Sequence, residues 1–231
     1  MKKYPLLLFC LIFLGCNAKK IDLKDLKLAE RPTVDLSSFS KHIQEQKGRY
    51  ESATKDGPLL VDNGEKIVHY YFAGNHNATF HNAKLADGLE TDVVTYDGII
   101  SFIKVHPDNR EAGNLFTTLL KEYPAPDSIV YDQRLFHKSQ KETAVILNKI
   151  MPYLVKDTVD EFNNKVTQYP QQLFWSKNDI LTQLVIDPID GYLNMSVTMV
   201  TKKGYLDHIV FEYVKPIQAE YDSPLKSLFK K

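Results

Sequence analysis

The sequence predicts an α+β fold, an antiparallel sheet of hairpins and a C-terminal meander packed against two to four helices. Three observations carry that prediction. Asp97-Gly98 separates two apolar, β-branched runs; Leu193, Met195, Val197 and Met199 alternate with Asn194, Ser196 and Thr198; and Leu115, Phe116, Leu119 and Leu120 recur at helical spacing. An Asp-Gly pair supplies the positive φ angles of a type I′ turn. A period of two marks a strand with one face buried and one wet, and hairpins followed by helices and then a meander define the class.

In chain order, Phe39, Ile43, Lys47 and Tyr50 have the spacing of one short amphipathic helix, ending before Asp56-Gly57-Pro58. Leu59–Val61, Asp62-Asn63-Gly64 and Lys66–Ala73 read as strand, tight turn and strand, and Thr91–Tyr96 with Ile99–Val105 as a second hairpin. Pro107-Asp108-Asn109 opens a helix that Pro124 closes. Ser139-Gln140-Lys141-Glu142 has the spacing of a capping box for a helix ending at Met151. Asp157 or Thr158 would cap a shorter helix ending near Tyr169-Pro170, its acids Asp157, Asp160 and Glu161 stabilising the positive end of the dipole. Leu173–Trp175, Ile180–Ile186, Leu193–Thr201 and Tyr205–Val214 complete the meander. Tyr123-Pro124 and Tyr169-Pro170 each end a helix-like run, which raises a second reading of the body: two duplicated parts with a boundary near 125–135.

The N-terminus has a different character. Lys2 and Lys3 precede an apolar run, Leu6–Leu14, too short for the ~20 residues of a membrane-spanning helix. Phe13-Leu14-Gly15-Cys16 resembles the lipobox of bacterial lipoproteins. The resemblance implies that residues 1–15 are a signal peptide, that Cys16 is the lipidation site carrying palmitate-type acyl chains, and that the chain is anchored to the cell envelope. Cys16 and Ala18 also suit an ordinary secretory peptidase, whose cut after Ala18 would release a soluble protein. With Cys10 removed and Cys16 acylated, no thiol remains for catalysis or a disulfide. Asn17 after the lipidated cysteine, and no acidic run behind it, are similar to diderm lipoproteins of the outer membrane that face the periplasm. Residues 16–35 read as a tether, in which Ile21, Leu23, Leu26 and Leu28 would let part dock, and 36–231 as a single α+β domain.

Without Lys2 and Lys3 the 29 basic residues become 27 against 29 acidic, a net charge of −2. Interspersed charge of this kind excludes the concentrated basic surface that binds nucleic acid. Three serine–lysine segments, at Ser38–Lys41, Ser176–Asn178 and Lys202–Gly204, stand in the order of penicillin-binding enzymes. The same Ser-x-x-Lys spacing recurs at Ser52, Ser101, Ser223 and Ser227, and Lys203 occupies the position of a hydroxyl residue, so the pattern does not discriminate. His69, His76, His81 and His106, with Asp87, Glu90 and Asp92, form the one region rich in ligating side chains. His76 and His81 are five apart, a spacing that puts them on one face of neither helix nor strand, so exposed loop histidines are the simpler reading. Trp175, the single tryptophan, reads as a core or sheet-face residue rather than a sugar platform. Asp127-Ser128-Ile129 and Asp157-Thr158-Val159 are similar to the O-glycosylation sequon of Bacteroidota envelope proteins.

No catalytic residue, metal ligand or cofactor is assigned on this reading. The expectation is a membrane-anchored envelope lipoprotein acting as a non-enzymatic binding, accessory or inhibitor/immunity module, its partners the membrane through Cys16 and an envelope protein. The alternative is an envelope hydrolase whose site is assembled from residues distant in sequence.

Overall fold

The structure is a computed structural model that describes residues 20–54, 57–72, 77–123, 125–134, 141–189, 192–207 and 209. The first seven strands are β1 (Ile21–Asp22), β2 (His42–Thr54), β3 (Gly57–Phe72), β4 (Ala78–Phe80), β5 (Ala83–Lys84), β6 (Thr91–Tyr96) and β7 (Ile99–Val105). They are followed by α1 (Ala112–Glu122), β8 (Ser128–Arg134), α2 (Lys141–Ile150), β9 (Lys156–Val159), β10 (Lys165–Lys177), β11 (Ile180–Ile189), β12 (Tyr192–Thr201) and α3 (Lys202–Leu206). Nine strands form one sheet in the order β2-β3-β6-β7-β12-β11-β10-β8, with β9 paired to β10, and β1, β4 and β5 form a small second sheet.

Strand accounts for 53% of the described residues and helix for 18%. The expected α+β balance is therefore wrong: the molecule is a large antiparallel sheet that carries few helices. Two expected helices became strands. The segment from Phe39 to Tyr50 lies mostly in β2, which pairs antiparallel with β3 from His42↔Tyr71 to Thr54↔Gly57. It is an edge strand with one neighbour, so its sequence is polar and lacks the alternation that marks a strand; pairing decided its state, not pattern. The segment at Asp157–Pro170 is the β9–β10 hairpin. Asp160 does cap there, but it caps a turn: its carboxylate accepts from the backbone N–H of Phe162 and Asn164 while Asn163 takes φ 64°. Helix N-termini and turns use the same aspartate chemistry.

Asp62-Asn63-Gly64 does not reverse the chain. Four residues, Asp62–Glu65, stand opposite Gly48 between the pairs Lys47↔Lys66 and Arg49↔Val61, so the segment is a bulge within β3. Its hydrogen bonds remain turn-like, Asp62 accepting from Gly64 N and Asn63 from Glu65 N. The strand expected at Tyr205–Val214 begins instead as α3, capped by Thr201 Oγ1 on Gly204 N, and most of the remainder lies outside the described residues. So does the start of the proposed capping box, Ser139-Gln140. Other elements match. Asp97 and Gly98, at φ 51° and 78°, turn β6 into β7 at the expected residues, and α1 and α2 occupy the two helical segments.

The main sheet has two unlike faces. Val93, Ile103, Val105, Leu173, Leu184 and Val197 point to the main core, where α1 contributes Ala112, Leu115, Phe116 and Leu119 and α2 Leu147. Ile21, Leu23, Leu26 and Leu36 are buried in that core too, so the part of the N-terminal segment from Ile21 docks, as its apolar residues allow. The opposite face carries a smaller cluster of Ile67, Val94, Tyr96, Phe102, Phe174, Leu181 and Val200, covered by Ile209 and Tyr205.

Candidate functional site

The strand registers assemble the polar part of that second face. His42 lies opposite Tyr71 and Gln44 opposite His69 across β2–β3; Tyr71 lies opposite Asp92 across β3–β6, and Asp92 opposite Lys104 across β6–β7. Alternation from Ile67 and Val94 puts His69, Tyr71 and Asp92 on one side of the sheet. Four strands thus bring together six side chains that are up to 62 positions apart (from His42 to Lys104).

His69 Nδ1 is 3.0 Å from Asp92 Oδ2, and both side chains are nearly withdrawn from solvent. With Asp92 ionised, this bond keeps the proton on Nδ1 and leaves Nε2 as an acceptor. Burial pushes the Asp92 carboxyl above its ordinary value, and the hydrogen bond and charge of His69, together with Lys104, only partly counter it. Asp92 Oδ1 has no hydrogen-bond partner among the described residues. The Tyr71 ring stacks 5.7 Å from His69 on one side and 4.3 Å from His42 on the other, so an imidazole–phenol–imidazole row leads from the buried dyad to the β2 edge. Such a row offers flat π faces and hydrogen-bonding edges at little conformational cost.

Within the histidine-rich region, the structure pairs His69 with Asp92. His81, at φ 50°, turns β4 into β5 and places Nδ1 3.2 Å from Glu122 Oε1 at the end of α1. Asp22 accepts from the backbone N–H groups of His81 and Asn82, which fixes that turn to β1. The carbonyl of His106 accepts from Ala86 N, Asp87 and Glu90 are exposed, and His76 lies outside the described residues. Among the described residues no three His, Cys, Asp or Glu side chains converge as metal ligands would.

The remaining sequence candidates lie in separate parts of the fold, except that the second and third serine–lysine segments adjoin where Lys202 N–H donates to the Asp179 carbonyl. The three serine–lysine segments lie at the turn Leu36–Ser38, the end of β10 and α3. Lys203 Nζ is 3.2 Å from Asp207 and 3.7 Å from the centre of the Tyr96 ring, an arrangement that fixes α3 on the sheet. Ser128 and Thr158 of the two sequon-like segments are half-buried in β8 and β9. Cys16 lies outside the described residues. Trp175 is 5% exposed within β10, as a core residue should be.

Two groupings escaped the sequence. Tyr71 and His42 carry no motif, and their stacking depends on the β2–β3 register. Arg134 donates to Asp132 Oδ2, Asp187 Oδ1 and the Pro188 carbonyl, while Tyr169 hydroxyl donates to Asp132, so one guanidinium ties β8, β10 and β11 together. Comparison with protein-family models, with curated proteins and with solved structures finds no match.

Proposed function

We propose that the chain is a lipid-anchored protein of the bacterial cell envelope that acts as a binding module through the polar face of its large sheet. The observation that carries this reading is the asymmetry of that sheet. One face is sealed by α1, α2 and the docked N-terminal residues; the other presents exposed His42 and Gln44 and half-buried Tyr71 at its β2 end, stacked on the buried His69. Aromatic and amphipathic side chains held flat on a rigid sheet are the composition of a recognition surface. Attachment through Cys16 rests on the lipobox resemblance, and none of the described helices is long and apolar enough to cross a membrane.

A photo-crosslinking residue at Gln44, compared in intact cells with one at Val145 on the exposed side of α2, tests the surface. Discrete adducts from position 44 and none from 145 are expected. Equal labelling at both positions, or none at either, would remove this reading.

The His69–Asp92 dyad supports a second reading, an envelope hydrolase assembled from distant residues, with His69 as base and Asp92 holding its tautomer. Ester or amide hydrolysis abolished by His69→Gln with the fold intact would favour it over the first.

A further inference from the structure

We propose that Asn63 is a self-modification site, where the side-chain amide closes onto the Gly64 nitrogen as a succinimide that water opens to aspartate or isoaspartate. Asn63-Gly64 is the only Asn-Gly pair in the sequence. It sits in the four-residue bulge of β3, where Asp62, Asn63 and Gly64 are all exposed.

Ring closure requires the Gly64 nitrogen to reach Cγ of Asn63, and a side chain on the following residue is the ordinary obstacle. None stands here: Gly64 has no Cβ, and nothing lies within 4 Å of where one would be. Neither residue has a ladder partner on β2 or β6, so closure breaks no pairing of the sheet.

The bulge also places one group for each movement of charge. Gly64 N–H donates to Asp62 Oδ1 at 2.9 Å, so that carboxylate is positioned to take the proton the nitrogen loses as it attacks. Glu65 N–H donates to Asn63 Oδ1 at 3.1 Å, so a fixed donor faces the oxygen on which negative charge develops. Asn63 Nδ2 donates to the Glu65 carboxylate, which fixes the plane of the amide. In the reaction the bond from Cγ to the Gly64 nitrogen forms, the proton held by Asp62 passes to Nδ2, and the Cγ–Nδ2 bond breaks to release ammonia. One water then adds across the imide. Opening at Cγ gives aspartate, and opening at the backbone carbonyl carbon gives isoaspartate. No oxidant or reductant is consumed.

The product changes the surroundings of Glu65. An amide that donates to it is replaced by a second carboxylate, and a hydrogen bond becomes a like-charge contact. Glu65 and Asp207 both face the Tyr96 phenol, on whose ring Lys203 of α3 rests, so the added charge acts where α3 is held on the sheet.

The full mature chain is kept in neutral buffer, folded in one sample and unfolded by urea in a second, and both are digested with trypsin over time. The peptide of residues 56–66 reports the conversion, its two acidic forms separated by chromatography and located by fragmentation. Conversion at Asn63 is expected to be at least about threefold faster in the folded chain, because the fold positions groups that urea leaves free. Asp62→Asn retains an oxygen that accepts from Gly64 N–H but is no base, and should slow the folded chain about tenfold or more. If that variant does not fold, Asp62→Ala replaces it with the same expected loss. Conversion in the folded chain no faster than in urea overturns the proposal. So does a folded Asp62 variant that converts at the wild-type rate.

Discussion

A methyl group on Gly48 would lie 1.9 Å from the carbonyl oxygen of Val61, at a backbone φ of +87°. Both the conformation and the space exclude a side chain, because the four-residue bulge of β3 folds over this point of β2. Gly64, in that bulge, has φ +80° but nothing within 4 Å of its missing Cβ. Gly48→Ala should therefore cost more than about 3 kcal/mol in urea denaturation and Gly64→Ala about 1 kcal/mol, the strain of the left-handed region alone. Equal losses would mean that β2 can move away from Val61. Asp92 allows a second test at this scale. Its folded pKa is raised by burial above the ordinary carboxylate value of 3.8, so the native state binds the proton more tightly than the unfolded chain. Its contribution to stability is present below pH 3.8 and is lost as pH rises through the higher folded value. Asp92→Asn should gain on the wild type as pH is raised from acid to neutral, measured by denaturation midpoints; a constant difference would assign the Asp92 effect to packing. Both residues of the dyad stood in the sequence's histidine-rich region, but their pairing did not. It depends on the β3–β6 register, and no local pattern encodes a contact 23 residues away.

The elements divide according to how local their determinants are. The β6–β7 hairpin was legible because two adjacent residues, Asp97 and Gly98, dictate its turn, and α1 because its buried residues Leu115, Phe116 and Leu119 recur within three turns of one helix. Strand β2 and the β9–β10 hairpin were not, since the first is held by its neighbour and the second hides its turn behind helix-like acids. Strand β12 was the most explicit, and the structure confirms its inward set: Leu193, Met195, Val197 and Met199 are 3%, 4%, 0% and 8% exposed. Val197 is flanked by Leu184 on β11 and Val105 on β7. Val197→Asp places an unpaired carboxylate between them and should cost roughly 4 kcal/mol or more, enough to unfold a domain of ordinary stability. Ser196, opposite Val185 on the other face, is only half-buried. Ser196→Asp should cost about 1 kcal/mol or less. A small loss at Val197, measured on the chain lacking residues 1–16, would contradict its burial. A folded Ser196→Asp that loses partner binding would extend the recognition surface from the His69 row to β12.

At the scale of the molecule, the strand order reads inward from both edges: β2-β3-β6-β7 from one side and β8-β10-β11-β12 from the other, meeting where β7 pairs antiparallel with β12. In the chain the first four strands precede α1 and the other four follow it, with β4 and β5 inserted between β3 and β6, and α2 and β9 between β8 and β10. The two tyrosine–proline pairs that suggest a duplication in the sequence are not equivalent in the structure. Tyr123-Pro124 does follow a helix, but Tyr169 and Pro170 lie inside β10. The helices are not equivalent either, since α1 packs on the main core and Tyr205 of α3 on the opposite cluster. The N-terminal docking bears on how the body would sit at a membrane. Ile21 is already buried, so only five Cα steps separate it from Cys16, a reach of at most about 17 Å. If Cys16 carries the acyl chains, the folded body is confined close to the bilayer, and every partner must approach in that layer. Two or three acyl chains at ~0.8 kcal/mol per buried CH₂ hold the protein there without help from the fold. Cys16→Ser should accordingly move the chain from the membrane pellet to the soluble fraction after a high-salt wash, with its denaturation midpoint unchanged. A mutant that stays in the pellet and is freed only by detergent would show that some other surface of the folded body inserts into lipid, and the lipobox reading would then lose its consequence.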